Sequence, residues 1–157
     1  MTSRALYPSK PLAPPRAPEG LTPPENRGFT LPDPIMAKLL LVDDNQDLLG
    51  MQGEFLRMSG HEVETAVNGE EALAHAARSH FDLIITDIIM PTKDGIEVII
   101  TLRKTMPALK VIAISGGGRL NAKDYLSIAQ KLGAAATLAK PFSGSELVAT
   151  VDRVLAG

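Results

Sequence analysis

The chain has no cysteine and no tryptophan. Without cysteine there is no disulfide framework and no thiolate metal site, which fits a reducing compartment; a cytoplasmic location is expected. Beyond residue 36 the only aromatics are Phe55, Phe81, Tyr125 and Phe142, so a core there must be aliphatic. No apolar run approaches the ~18 residues that a membrane span needs. The N-terminus lacks the apolar stretch of a secretory signal, and no membrane partner is expected. There is no block of lysine or arginine, and the net charge is −2. Nothing in that pattern points to a nucleic-acid partner.

What the sequence has is unevenly placed. Nine of the twelve prolines fall in residues 1–34, where large aliphatics are few and aperiodic. Such a segment cannot bury enough apolar surface to offset its ordering entropy. We expect residues 1–35 to be a disordered, proline-rich extension with polyproline character, and residues 36–157 to be the folded domain. The extension reads as a passive tail or as a ligand for a proline-binding domain. Met36-Ala37-Lys38 also opens the folded part cleanly enough to be a start of its own.

From Met36 onward strands and helices alternate. Lys38–Val42 reads as a buried strand. Asn45 caps a helix over Gln46–Ser59, with Leu48, Leu49, Gln52, Phe55 and Leu56 at helical spacing. Gly50 and Gly53 cost that helix about 1 kcal/mol each relative to alanine, which close packing on the sheet would explain. Gly60 closes it as a left-handed cap. Glu62–Ala66 is a second strand, Asn68-Gly69 a turn, and Glu70–Arg78 an alanine-rich helix. Phe81–Thr86 is a third strand and Gly95–Thr105 a helix bearing Ile96, Ile99, Ile100 and Leu102. Lys110–Ile114 is a fourth strand, followed by a Ser115–Gly118 loop. A helix over Asn121–Leu132 carries Tyr125, Leu126, Ile128 and Ala129 on its apolar side. Ala134–Ala139 is a weak fifth strand, and Ser143 caps a last helix through a Ser-x-x-Glu box with Glu146. Five such units imply an α/β fold, a doubly wound parallel sheet with helices on both faces.

The stretch that organises the rest is Phe81–Gly95. A β-branched run, Leu83-Ile84-Ile85-Thr86, ends at Asp87, and a turn follows. In an open parallel sheet the carboxyl ends of the strands form the ligand edge. Asp43-Asp44, Asp87, Ser115 and Lys140-Pro141 all stand at such ends. Singly, each has a plain alternative: turn or cap residues, a serine before a glycine loop, a surface lysine, a punctuating proline. Together they place three carboxylates, a hydroxyl and an ammonium in one crevice. Crowded carboxylates resist ionisation unless a cation sits among them. All-oxygen ligands with room for water suit Mg²⁺. A carboxylate can serve as nucleophile, while Lys140 and Ser115 supply charge and a donor for a phosphoryl group. The glycine run lacks the spacing of either nucleotide-binding loop.

LLLVDDN, DLIITDIIMPTKDG, VIAIS and LAKPF, in that order, resemble the receiver domain of two-component response regulators over residues 37–156. The resemblance implies a flavodoxin-like five-stranded sheet of order 2-1-3-4-5. Asp87 would accept a phosphoryl group from a phosphohistidine, donated by a histidine kinase or phosphotransfer protein. Asp43, Asp44, Asp87 and the backbone carbonyl of Ile89 would hold Mg²⁺. Ser115 would be the switch hydroxyl and Lys140 the phosphate-binding lysine, with a cis peptide to Pro141. Two features depart from the family. Thr137 stands where a tyrosine or phenylalanine is usual, and the segment from Ser115 to Gly133 is longer. Because the sequence stops after the last helix, a stand-alone regulator is expected. It would have no independent enzymatic substrate, and would act by docking an unidentified protein target or by onward transfer. The rival is a receiver-like interaction module that is never phosphorylated. A Mg²⁺-dependent hydrolase would need an acid/base carboxylate soon after the nucleophile, and position 89 is isoleucine.

Overall fold

The computed structural model describes residues 36–91, 93–116 and 122–157. The expectations for the proline-rich extension, for Gly117 and Gly118 and for a helix start at Asn121 lie outside the described residues. Five parallel strands stand in the order β2-β1-β3-β4-β5. They are β1 (Lys38–Val42), β2 (Glu62–Ala66), β3 (Leu83–Asp87), β4 (Lys110–Ser115) and β5 (Ala136–Ala139). Between and after them run α1 (Gln46–Met58), α2 (Gly69–Arg78), α3 (Gly95–Thr105), α4 (Ala122–Lys131) and α5 (Gly144–Ala156).

Strand alternation sorts the core into two layers. Leu39, Leu41, Leu83 and Ile85 face one way and pack with Leu49 and Leu56 of α1 and with Leu147, Val151 and Val154 of α5. Leu40, Val42 and Ile84 face the other way, against Ala72 and Ala76 of α2, Val98, Ile99 and Leu102 of α3, and Ala129 of α4. Covered on both sides, β3 is buried at every residue, which is why it reads as a continuous apolar run. Strand β2, at the edge, buries only Val63 and Ala66. Among the described residues, no helix is long and apolar enough to cross a membrane.

Several boundaries differ from the sequence reading. Phe81 precedes β3 rather than opening it, and packs in the α2–α4 layer. Asp87 and Ser115 are the last residues of their strands, not the first residues beyond them. Strand β5 begins at Ala136, because Ala134 and Ala135 complete the turn from α4 through hydrogen bonds to Ala129 and Val111. Asn68-Gly69 is not a separate turn: Asn68 caps α2 by accepting the Glu71 N–H, and Gly69 is the first helical residue.

The buried stripe of α1 is Leu49, Gln52, Gly53 and Leu56. Phe55 falls on its flank, 43% exposed, lying over the bare Cα of Gly144. Ile100 and Ile128 likewise face outward. Close packing on the sheet does not account for the α1 glycines. Nothing lies within 4 Å of a β-carbon built on Gly50, and at Gly53 the nearest group is the Arg57 side chain at 3.3 Å. The caps are as the sequence implies. Asn45 accepts the Leu48 N–H, Ser143 accepts the Glu146 N–H, and Gly60 has φ +97°.

Candidate functional site

At the carboxyl edge of the sheet β1 and β3 lie side by side, so their terminal acids come together. Asp43 follows β1 and is 3% exposed; Asp87 ends β3 and is 5% exposed. Asp44 is exposed. Each of the three offers a carboxylate oxygen within 4.8 Å of the others. Asp43 is fixed at both ends. Its N–H donates to the Ala66 carbonyl at 3.2 Å, and its Oδ1 accepts the Asn45 N–H at 2.9 Å. The β1–α1 connection is therefore a tight turn in which one acid faces inward and the next outward.

Lys140 enters from the end of β5. Its Nζ lies 3.1 Å from Asp87 Oδ2 and 3.4 Å from Asp43 Oδ2. The stem crosses Gly116, where a β-carbon would come within 3.0 Å of Lys140 Cδ. Its backbone is held too, since the Lys140 N–H donates to the Ser115 carbonyl at 2.9 Å. The Lys140-Pro141 peptide is cis, as the resemblance implies. Ser115 is fully buried at the end of β4, one residue beyond Ile114, which pairs with Asp87. Thr137 is half-buried in β5 opposite Ala113.

Burial is the strongest influence on Asp87, and with the charge of Asp43 it raises the carboxyl above its ordinary pKa. Lys140 and the Ile89 N–H, which donates to this carboxylate, act the other way without cancelling it. For Lys140 burial works against the charge, but Asp87 and Asp43 together outweigh it and raise its pKa. The two directions agree physically. One ammonium shared between two buried carboxylates is itself well stabilised, yet leaves Asp87 only partly compensated.

That imbalance is the test of fit for a metal. Three carboxylates and one ammonium leave a surplus of negative charge where burial already disfavours it. All three are oxygen donors, and Asp44 is open to solvent, so the set suits a hydrated Mg²⁺. Ile89 is placed beside Asp87 by its N–H. Asp94 is not a stray acid: its side chain accepts the Glu97 N–H at 3.0 Å and caps α3.

The sequence reading treated Gly95 only as a turn signal and helix start. The structure packs it against the back of the strand end. A β-carbon there would lie 2.3 Å from the Asp87 carbonyl oxygen, and the Gly95 N–H donates to the Ile88 carbonyl at 2.8 Å. Asp-Gly before a helical run was the available signal, but it spoke of a turn and not of which backbone the turn would meet.

Comparison with known proteins agrees with this arrangement. Residues 39–152 match the family model described as the response regulator receiver domain. The chain is 39% identical over 118 residues to a transcriptional regulatory protein, PrrA, of Mycobacterium leprae (strain TN), covering 75% of this chain and 49% of the relative. It is 40% identical over 106 residues to a response regulator receiver protein of Anaeromyxobacter sp. (strain Fw109-5), covering 68% and 43%. The chain thus spans about half the length of the curated relatives it matches. The solved receiver domain of a Francisella response regulator superposes with a TM-score of 0.70 at 29% identity, covering 76% of this chain and 97% of that one. Sheet order, acid-lined edge and the extent of the match agree, and the chain belongs to the response regulator receiver domains of two-component signalling.

Proposed function

We propose that the domain takes a phosphoryl group on Asp87 from a phosphohistidine of a histidine kinase or phosphotransfer protein. The observation that carries this reading is the placing of Asp87: buried, beside Asp43, and bridged to it by Lys140 Nζ at 3.1 and 3.4 Å. A carboxylate oxygen of Asp87 forms the new bond to phosphorus as the bond from phosphorus to the donor imidazole breaks. The imidazole leaves with the electron pair and takes up a proton. The transferred group keeps its negative oxygens, so the site must supply positive charge and hydrogen-bond donors.

Lys140 supplies the fixed charge, and Ser115, at the end of the neighbouring strand, supplies the hydroxyl. Asp43, Asp44, Asp87 and the Ile89 carbonyl would hold Mg²⁺. When bound, the metal offsets charge on the phosphoryl oxygens and on the acids themselves. The domain catalyses its own phosphorylation and dephosphorylation and has no separate substrate.

The output is a protein surface or an onward transfer. Relatives named as transcriptional regulators share with this chain the receiver portion of longer proteins. The reading therefore stops at the phosphoryl group and at the surface that responds to it. Incubation with a small phosphodonor, with and without Mg²⁺, followed by intact-mass measurement tests it. Wild type should gain one phosphoryl group in a Mg²⁺-dependent manner, and Asp87→Asn should gain none. An unlabelled wild type would favour an interaction module that works without phosphorylation.

A further inference from the structure

The corner between β2 and α2 carries no reactive group, yet it touches both acid-bearing connections. Ala66, the last residue of β2, accepts the backbone N–H of Asp43 at 3.2 Å. Three residues on, Gly69 opens α2 and lies against the connection that follows Asp87. A β-carbon on Gly69 would stand 2.4 Å from the backbone oxygen of Lys93 and 2.9 Å from Cγ2 of Val98. Both are closer than real β-carbons approach, and the nearer contact is backbone, which cannot swing aside. What Gly69 provides is therefore space.

Neither partner is free to give way. The start of α2 is held by Asn68, whose Oδ1 accepts the Glu71 N–H at 2.8 Å and whose carbonyl accepts the Ala72 N–H at 3.0 Å. The far end of the β3–α3 connection is held by Gly95, hydrogen-bonded to Ile88 and pressed against the Asp87 carbonyl. A push on Lys93 is thus carried through Asp94 and Gly95 to Ile88, whose neighbour Ile89 donates its N–H to Asp87. Asp43 is held from the same corner, through its N–H on the Ala66 carbonyl.

We propose that Gly69 is a positioning residue for phosphorylation: its bare Cα sets how closely the connection after Asp87 sits over the sheet edge, and so how the Ile89 peptide is aimed. The proposal rests on the reading of Asp87 as acceptor and of Ile89 as a carbonyl ligand. Groups that orient ligands without touching the metal commonly cost 10–100-fold in affinity when altered.

The experiment uses the full chain as wild type, Gly69→Ala, Gly69→Ala/Val98→Ala and Gly50→Ala. Mg²⁺ affinity is measured by calorimetry, and the rate of labelling by a small phosphodonor is measured at limiting Mg²⁺. The temperature is one at which circular dichroism shows every variant folded. Gly69→Ala should bind Mg²⁺ about 10-fold or more weakly and label correspondingly slowly. Removing the Val98 methyls should not restore it, because the Lys93 carbonyl still blocks the added carbon. Gly50→Ala, with open space around its Cα, should match wild type in both readouts. Unchanged Mg²⁺ affinity in Gly69→Ala, or full recovery in the double variant, would show that Gly69 serves packing alone. Should Gly69→Ala not fold, the wild type decides. On Mg²⁺ titration the Gly69 and Lys93 amide resonances should shift with the same midpoint as Ile89, and a stationary Gly69 amide overturns the proposal. A wild type that neither binds Mg²⁺ nor labels would instead remove the reading of Asp87, and this inference with it.

Discussion

Lys140 Nζ lies 3.1 Å from Asp87 Oδ2, although the two residues are 53 apart in sequence and their strands are not neighbours. Strand β4 runs between them, and the lysine reaches past its end over Gly116. The same ammonium is 3.4 Å from Asp43 Oδ2. A single cation thus ties the ends of β1, β3 and β5 together, and its loss should be felt as chemistry more than as fold.

Lys140→Met keeps most of the stem over Gly116 and removes the charge. Labelling by a small phosphodonor should fall about 100-fold, the scale seen when one fixed donor to a developing anion is lost. Mg²⁺ affinity should hold or rise, because the acids lose a competing cation. Rapid-quench labelling beside calorimetric titration checks both. A parallel fall in the two would mean that the lysine only supports the site's shape.

Asp87 gives a pH prediction. Its raised pKa means that the folded state holds this proton more tightly than the unfolded chain does. As pH rises from the ordinary carboxylate value of about 4 through the folded pKa, ionisation of Asp87 erodes stability, and the loss persists above it. In chelator, Asp87→Asn should therefore melt at a higher temperature than wild type at neutral pH. The difference should shrink as the pH is lowered toward the carboxylate range. Saturating Mg²⁺ should narrow it too, by stabilising wild type alone. A gain that is constant with pH would show that the charge of Asp87 is not the cause.

Two glycines within helices should respond oppositely to the same substitution. Gly50 has open space where a β-carbon would go, so Gly50→Ala should stabilise by about 0.5–1 kcal/mol. At Gly95 the added carbon would lie 2.3 Å from the Asp87 carbonyl oxygen, and the forced shift should cost about 1–3 kcal/mol. Urea unfolding of both variants decides this. Equal effects would mean that helix propensity outweighs the close approach.

Thr137 is a small side chain where the resemblance to receiver domains implies a tyrosine or phenylalanine, so the signal is expected to leave by another element. Phosphorylation adds roughly two negative charges and new acceptor oxygens, and some element must respond to them. Ser115 ends β4 on the way to α4, and Tyr125 on α4 is half-buried against the α2–α4 core. Hydrogen exchange with a beryllofluoride mimic should change protection most across residues 115–132. A change confined to the connections after Asp44 and Asp87 would contradict that route.

The five strands and the five strand-end residues were legible because each rests on a local signal: an apolar run, a polar residue at its end, a turn. The caps at Asn45 and Ser143 were legible for the same reason. The strand order came only with the resemblance to receiver domains. Less visible was anything set by distance between segments. Gln52 is buried and Phe55 exposed because the stripe of α1 that meets the sheet is centred on Leu49, Gln52, Gly53 and Leu56. A helical spacing of apolar residues does not say which edge of the stripe wins. Gly69, Gly95 and Gly116 each leave room for a backbone or side chain that arrives from another element, and a glycine in sequence does not name what approaches it.

The central claim concerns one carboxylate, and locating the phosphoryl group tests it most directly. The protein is labelled with a small phosphodonor and Mg²⁺, reduced with borohydride, which converts an acyl phosphate to the alcohol, and mapped by tandem mass spectrometry. The account predicts homoserine at position 87 and nowhere else, and its absence when Mg²⁺ is withheld. Homoserine at position 43 or 44, or label that survives Asp87→Asn, would contradict it.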